Sequence, residues 1–123
     1  MAKRILVVDD DTMNLKMAEF ILKNGDYEIE KAESGVACLQ LLWDKEYDLV
    51  LLDIEMPGKN GIETLEEIRN IKKLENLPVV FLTAAADADT VTAASRLGVK
   101  DYIKKPFMPQ ELLERVEAVL GEV

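Results

Sequence analysis

Apolar residues in this chain gather into short continuous runs, and each run stops at a polar residue. Arg4-Ile5-Leu6-Val7-Val8 leads into Asp9-Asp10, and Leu49-Val50-Leu51-Leu52 leads into Asp53. Val79-Val80-Phe81-Leu82 leads into Thr83, and Tyr102-Ile103-Lys104 leads into Lys105-Pro106. Continuous rather than alternating apolar character predicts strands of a parallel sheet covered by helices on both faces. Tyr27 to Lys31 alternates more, as an edge strand does, and Asp101 to Lys104 carries the weakest strand pattern.

Helical spacing fills the intervals. Leu15, Ala18, Ile21 and Leu22 share one face, with Gly25 placed to stop that helix. Ser34 can cap a helix carrying Val36, Leu41 and Leu42, and Asn60 another carrying Ile62, Leu65 and Ile68. Pro109 suits the first turn of a last helix with the apolar stripe Leu112, Leu113, Val116 and Leu120. The segment from Ala84 to Ser95 differs: it is mostly Ala, Thr and Asp, and only Val91 adds bulk before Leu97 and Gly98. Small residues bury little apolar area, so this helix is expected to be the least anchored part of the fold.

Strand and helix alternate five times, which predicts an α/β protein: a single (βα)5 doubly wound parallel sheet with flavodoxin-like strand order 2-1-3-4-5. A length of 123 residues fits one domain spanning 1–123, with no internal repeat or linker. The balance of 15 basic and 24 acidic residues, net −9, argues against binding nucleic acid or an anionic membrane. No apolar stretch approaches the roughly 18–20 residues of a membrane span, and the N-terminal run is too short for a signal peptide. The single cysteine, Cys38, excludes an intrachain disulfide, suits a cytoplasmic protein, and reads as a small buried helix residue. The chain has no histidine. It therefore cannot donate a phosphoryl group from phosphohistidine, use imidazole as a base, or build a His-containing zinc site.

In an open parallel sheet, ligands bind outside the carboxyl ends of the strands. If the four runs are neighbours, Asp9, Asp10 and Asp53 meet Thr83 and Lys105 there. Three carboxylates concentrate charge that would raise at least one pKa, and magnesium, which takes oxygen ligands and phosphate, relieves it. The plainer reading of the Asp pair is that it caps the next helix. Asp53 is the better nucleophile, since a carboxylate can attack phosphorus to form an acyl phosphate. Lys105 can neutralise the phosphoryl oxygens and Thr83 can donate a hydrogen bond to one of them.

At Asp53-Ile54-Glu55-Met56-Pro57-Gly58-Lys59-Asn60-Gly61 the chain resembles the D-x-x-M-P-x-x-[DN]-G signature of receiver domains of two-component response regulators. Asp9-Asp10, Thr83-Ala84 and Lys105-Pro106-Phe107 match the remaining motifs, in order and along essentially the whole chain. The resemblance implies that Asp53 is the phosphoacceptor. Asp9 and Asp10 would hold Mg2+ together with Asp53 and the backbone carbonyl of Glu55, and Thr83 and Lys105 would contact the phosphoryl group. It further implies that Tyr102 is an aromatic switch moving with Thr83, and that the bond before Pro106 is cis. Lys104 matches no motif position and reads as solvated. Glu55, two beyond the acceptor, occupies a position that influences dephosphorylation, and Ala85, two beyond Thr83, implies a phosphoryl group that is not strongly shielded.

The implied partners are a histidine kinase or histidine phosphotransfer protein, and a downstream protein target or fused output domain. The implied role is a switch rather than an enzyme. Val123 falls at the end of the last expected helix, leaving open a stand-alone receiver or one taken from a longer regulator. Two other readings stand beside this one. Val7-Val8-Asp9-Asp10-Asp11-Thr12 also resembles the D-x-D-x-[TV] loop of haloacid-dehalogenase-type phosphatases, with Asp9 as nucleophile and Asp11 as general acid. That family's usual cap and late acidic pair are missing from the pattern. A flavodoxin-type cofactor binder would want a Ser/Thr/Gly phosphate loop where this chain has acidic residues.

Overall fold

The continuous apolar runs become the strands of one parallel sheet. In the computed structural model, which describes residues 2–84 and 88–121, the strands are β1 (Lys3–Val8), β2 (Tyr27–Ala32), β3 (Leu49–Asp53), β4 (Val79–Thr83) and β5 (Asp101–Lys104). They lie in the order β2-β1-β3-β4-β5 with every neighbouring pair parallel. The helices that return the chain are α1 (Thr12–Leu22), α2 (Gly35–Asp44), α3 (Gly61–Asn70), α4 (Ala88–Arg96) and α5 (Pro109–Leu120). No helix among the described residues is long and apolar enough to cross a membrane.

Period-two side-chain alternation divides the buried residues between two cores. Leu6, Val8, Val50, Leu52, Val79 and Phe81 face Cys38, Leu42, Leu65, Ile68 and Ala94 from α2, α3 and α4. Ile5, Val7, Leu49, Leu51, Val80 and Leu82 face Leu15, Ala18, Leu22, Leu112 and Val116 from α1 and α5. Because β1, β3 and β4 are covered on both faces, they read as uninterrupted apolar runs. Burial also pushes the Cys38 thiol up to about 12, so the side chain behaves as a small hydrophobe.

Helix starts follow the capping chemistry. Asp11 accepts from the Met13 N–H, Ser34 from Ala37, and Asn60 from Glu63, whose side chain accepts in return from the Asn60 N–H. Pro109 stands in the first turn of α5. Each side-chain cap is worth about 1 kcal/mol, and together these caps fix where the chain leaves the carboxyl edge of the sheet.

Two expectations need correction. The helix α1 ends at Leu22 and a 3-10 turn follows over Lys23–Gly25, but the left-handed residue is Asp26, at φ 62°. Gly25 is required for space: a Cβ there would lie 2.6 Å from the Tyr27 ring. In α2 the inward residues are Gly35, Cys38 and Leu42, while Val36 points to solvent. Cys38 and Leu42 are buried as expected; Val36 lies one residue out of phase with Gly35, whose bare backbone carries no apolar signal. As expected, α4 (Ala88–Arg96) is thinly packed, and its buried residue is the small Ala94. Ala85 and Val123 lie outside the described residues.

Candidate functional site

Strand register sets up the site. Val8 is level with Leu52, so Asp9 and Asp53 follow side by side. Asp53 is level with Leu82 and Thr83 with Lys104, which puts Thr83 one step and Lys105 two steps further along the same edge. The Lys105 N–H donates to the Thr83 carbonyl at 2.7 Å, and the Lys105–Pro106 peptide is cis, as expected. Phe107 is buried just beyond, anchoring the loop.

The side chains then converge. Lys105 Nζ lies 2.9 Å from Asp53 Oδ1 and 3.2 Å from Asp9 Oδ2. One oxygen from each of Asp9, Asp10 and Asp53 lies within 4.8 Å of the others. Asp9 and Asp53 are fully buried, whereas Asp10 is exposed. Asp53 Oδ1 also accepts the Glu55 N–H at 3.2 Å, while Oδ2 is buried without a hydrogen-bond partner among the described residues. A buried anionic oxygen with no donor is costly. A divalent cation held by the three carboxylates would relieve that cost, so the donor set fits magnesium, which takes hard anionic oxygens and completes its shell with waters or phosphate.

Electrostatics agree with this geometry. Burial, reinforced by the Asp9 charge, pushes the Asp53 carboxyl up to about 7 despite the Lys105 hydrogen bond that favours ionisation. Burial opposes the Lys105 charge, but the facing Asp53 and Asp9 carboxylates prevail and its pKa rises. The ammonium is therefore present at neutral pH, held against an acceptor poised near its own titration.

Not every expected residue does what its position alone suggests. The Thr83 hydroxyl donates to Glu55 Oε2 at 2.8 Å, and the Ala84 N–H to Glu55 Oε1 at 3.0 Å. Tyr102 is 41% exposed and so sits outward. Lys104 is exposed as expected. Asp11, the general acid of the phosphatase reading, instead caps α1. Asn14 was missed: from the first turn of α1 its amide donates to Asp9 Oδ2 at 3.2 Å and orients that carboxylate together with the Asp11 N–H. An amide on the first turn after an acidic strand end was the available signal. Arg69 was also missed. Its guanidinium donates to the carbonyls of Leu77, Leu74, Leu97 and Gly98, tying α3 to the segment after α4.

Known proteins share this arrangement of elements. The description of the response regulator receiver domain matches residues 5–117. The chemotaxis protein CheY4 of Vibrio cholerae superposes with a TM-score of 0.93 at 26% identity, covering 98% of this chain and 100% of that one. A response regulator from Chloroflexus aurantiacus gives 0.92 at 34% identity, covering 99% and 100%. NtrX from Brucella abortus, a longer protein, gives 0.88 at 33% identity over 98% of this chain but 27% of its own.

Proposed function

The chain belongs to the response regulator receiver domain family, and from that premise we propose that it is a phosphoacceptor switch whose acceptor is Asp53. The observation that carries the proposal is the Lys105 ammonium, 2.9 Å from Asp53 and 3.2 Å from Asp9, two members of the Asp9, Asp10 and Asp53 cluster. Asp53 attacks phosphorus from a phosphohistidine on a separate histidine kinase or phosphotransfer protein. The N–P bond breaks as the carboxylate O–P bond forms.

Asp9, Asp10 and Asp53, with the Glu55 carbonyl, would hold the magnesium ion, which supplies charge neutralisation for the transferring phosphoryl oxygens. Lys105 is already in place to neutralise the acceptor and then the product. Asn14 and the Asp11 N–H keep the Asp9 carboxylate oriented. Thr83 is the hydroxyl donor on the neighbouring strand. Its capture by the phosphoryl group biases Tyr102 inward and shifts the population of the α4–β5–α5 face, a two-state change driven by local charge. The thin packing of α4 around Ala94 suits that movement. The protein acts in the cytoplasm as a switch, catalysing only its own phosphorylation and dephosphorylation. Its target is a protein surface or a fused output domain, since net −9 disfavours nucleic acid.

Magnesium-dependent labelling by acetyl phosphate tests the assignment. The wild-type protein is expected to take up one phosphoryl group, and Asp53→Asn none. Undiminished labelling of the variant would overturn it.

A further inference from the structure

The Glu55 side chain has a task that phosphoacceptance alone does not explain. It follows Asp53 by two residues and leans across to the end of β4. Its two oxygens take the Thr83 hydroxyl at 2.8 Å and the Ala84 N–H at 3.0 Å, while its own N–H donates to Asp53 Oδ1. One anion thus occupies two donors on the strand next to the acceptor. A phosphoryl group on Asp53 presents the same chemistry, oxygens sharing negative charge and seeking charge-assisted hydrogen bonds.

We propose that Glu55 is a built-in competitor of the phosphoryl group, holding Thr83 and Ala84 in the resting protein until the new dianion displaces it. The inference rests on the phosphoacceptor reading and adds the contact that must break for the switch to move. Like charge drives the exchange, because a carboxylate and a phosphoryl dianion cannot share these donors without strong repulsion. Glu55 is exposed, so once displaced it turns into water and regains its hydration. The fraction of molecules with Thr83 and Ala84 released binds a phosphoryl group at full strength, and the latched fraction weakens the apparent affinity in proportion.

The probe is beryllofluoride with magnesium, a mimic of the acyl phosphate, titrated into the wild-type protein, Glu55→Gln and Glu55→Ala and followed by amide NMR. Removing the competitor in Glu55→Ala is expected to tighten binding about tenfold, with the neutral, isosteric Gln variant between. In the unliganded proteins the Ala84 amide is expected to exchange with solvent faster in the Ala variant than in wild type. Equal or weaker binding by Glu55→Ala, or an Ala84 amide indifferent to the substitution, overturns the competition. Absence of binding in all three proteins removes the phosphoacceptor reading itself, which a protected Ala84 amide in the wild type would distinguish from a missing latch.

Discussion

Asp53→Asn is expected to be more stable than the wild-type protein by about 2–4 kcal/mol in magnesium-free buffer near pH 7.5. Asp53 is buried beside Asp9, and its carboxyl titrates at about 7 in the fold against 3.8 as a free group. Between those values the folded state holds a proton that the unfolded chain has released. Stability therefore falls as the pH rises from about 4 through 7, and above that the whole penalty is present. The upper bound is the difference of roughly three units at about 1.4 kcal/mol each. Asparagine keeps the shape, accepts from Lys105 and the Glu55 N–H through its oxygen, and offers its amide to the remaining carboxylates.

The gain corresponds to a thermal midpoint raised by roughly 6–15 °C. It should shrink towards zero near pH 4, where both forms of position 53 are neutral in the fold. Magnesium should raise the midpoint of the wild type and close much of the gap, because a ligand bound only by the native state stabilises it by mass action. Thermal scans across pH, with and without magnesium, check all three statements. A wild type more stable than the variant at neutral pH would show that Lys105 already balances the cluster.

Gly61→Ala is expected to be the most damaging single-methyl addition near the site, costing about 3 kcal/mol or more. A Cβ at Gly61 would lie 2.3 Å from the Asp53 carbonyl oxygen, 2.8 Å from Ile54 Cα and 3.0 Å from the Asp53 carbonyl carbon. All three are backbone atoms at the end of a central strand, so nothing flexible can give way. The Gly61 N–H also donates to the Ile54 carbonyl at 2.9 Å, so lifting α3 away breaks that bond as well. The acceptor moves with the backbone, and magnesium affinity should fall together with the denaturation midpoint. Gly58 is the control. It has φ +72° and nothing within 4 Å of its would-be Cβ, so alanine there meets only left-handed strain of about 1 kcal/mol.

Much of this was legible in the order of residues. Uninterrupted apolar runs encode strands covered on both faces, and the crevice rule then carries Asp9, Asp53, Thr83 and Lys105 to one edge. The separation of 52 positions between Asp53 and Lys105 collapses to a 2.9 Å contact because parallel register, a backbone property, brings the strand ends together. Caps at Ser34 and Asn60 were readable for the same reason: their chemistry is local.

Side-chain routing across the edge was not readable. Nothing in the spacing of Glu55 and Thr83 says that one carboxylate will bridge the hydroxyl and the next N–H, since that depends on how the β3–α3 loop leans. Arg69 reads as an ordinary cation in the last turn of a helix, yet its donors are spent on carbonyls from two loops. Val36 was misplaced in α2 because Gly35, the inward residue beside it, offers no side chain to signal the face it packs against Thr64, whereas Cys38 was readable as buried.

The central claim is that the phosphoryl group goes to one carboxylate. After treatment with acetyl phosphate and magnesium, borohydride reduction converts an aspartyl phosphate to homoserine, and peptide mass mapping locates it. Homoserine at position 53 alone is the expected result. Homoserine at position 9, or an unaltered Asp53 in protein that carries label, would contradict the account.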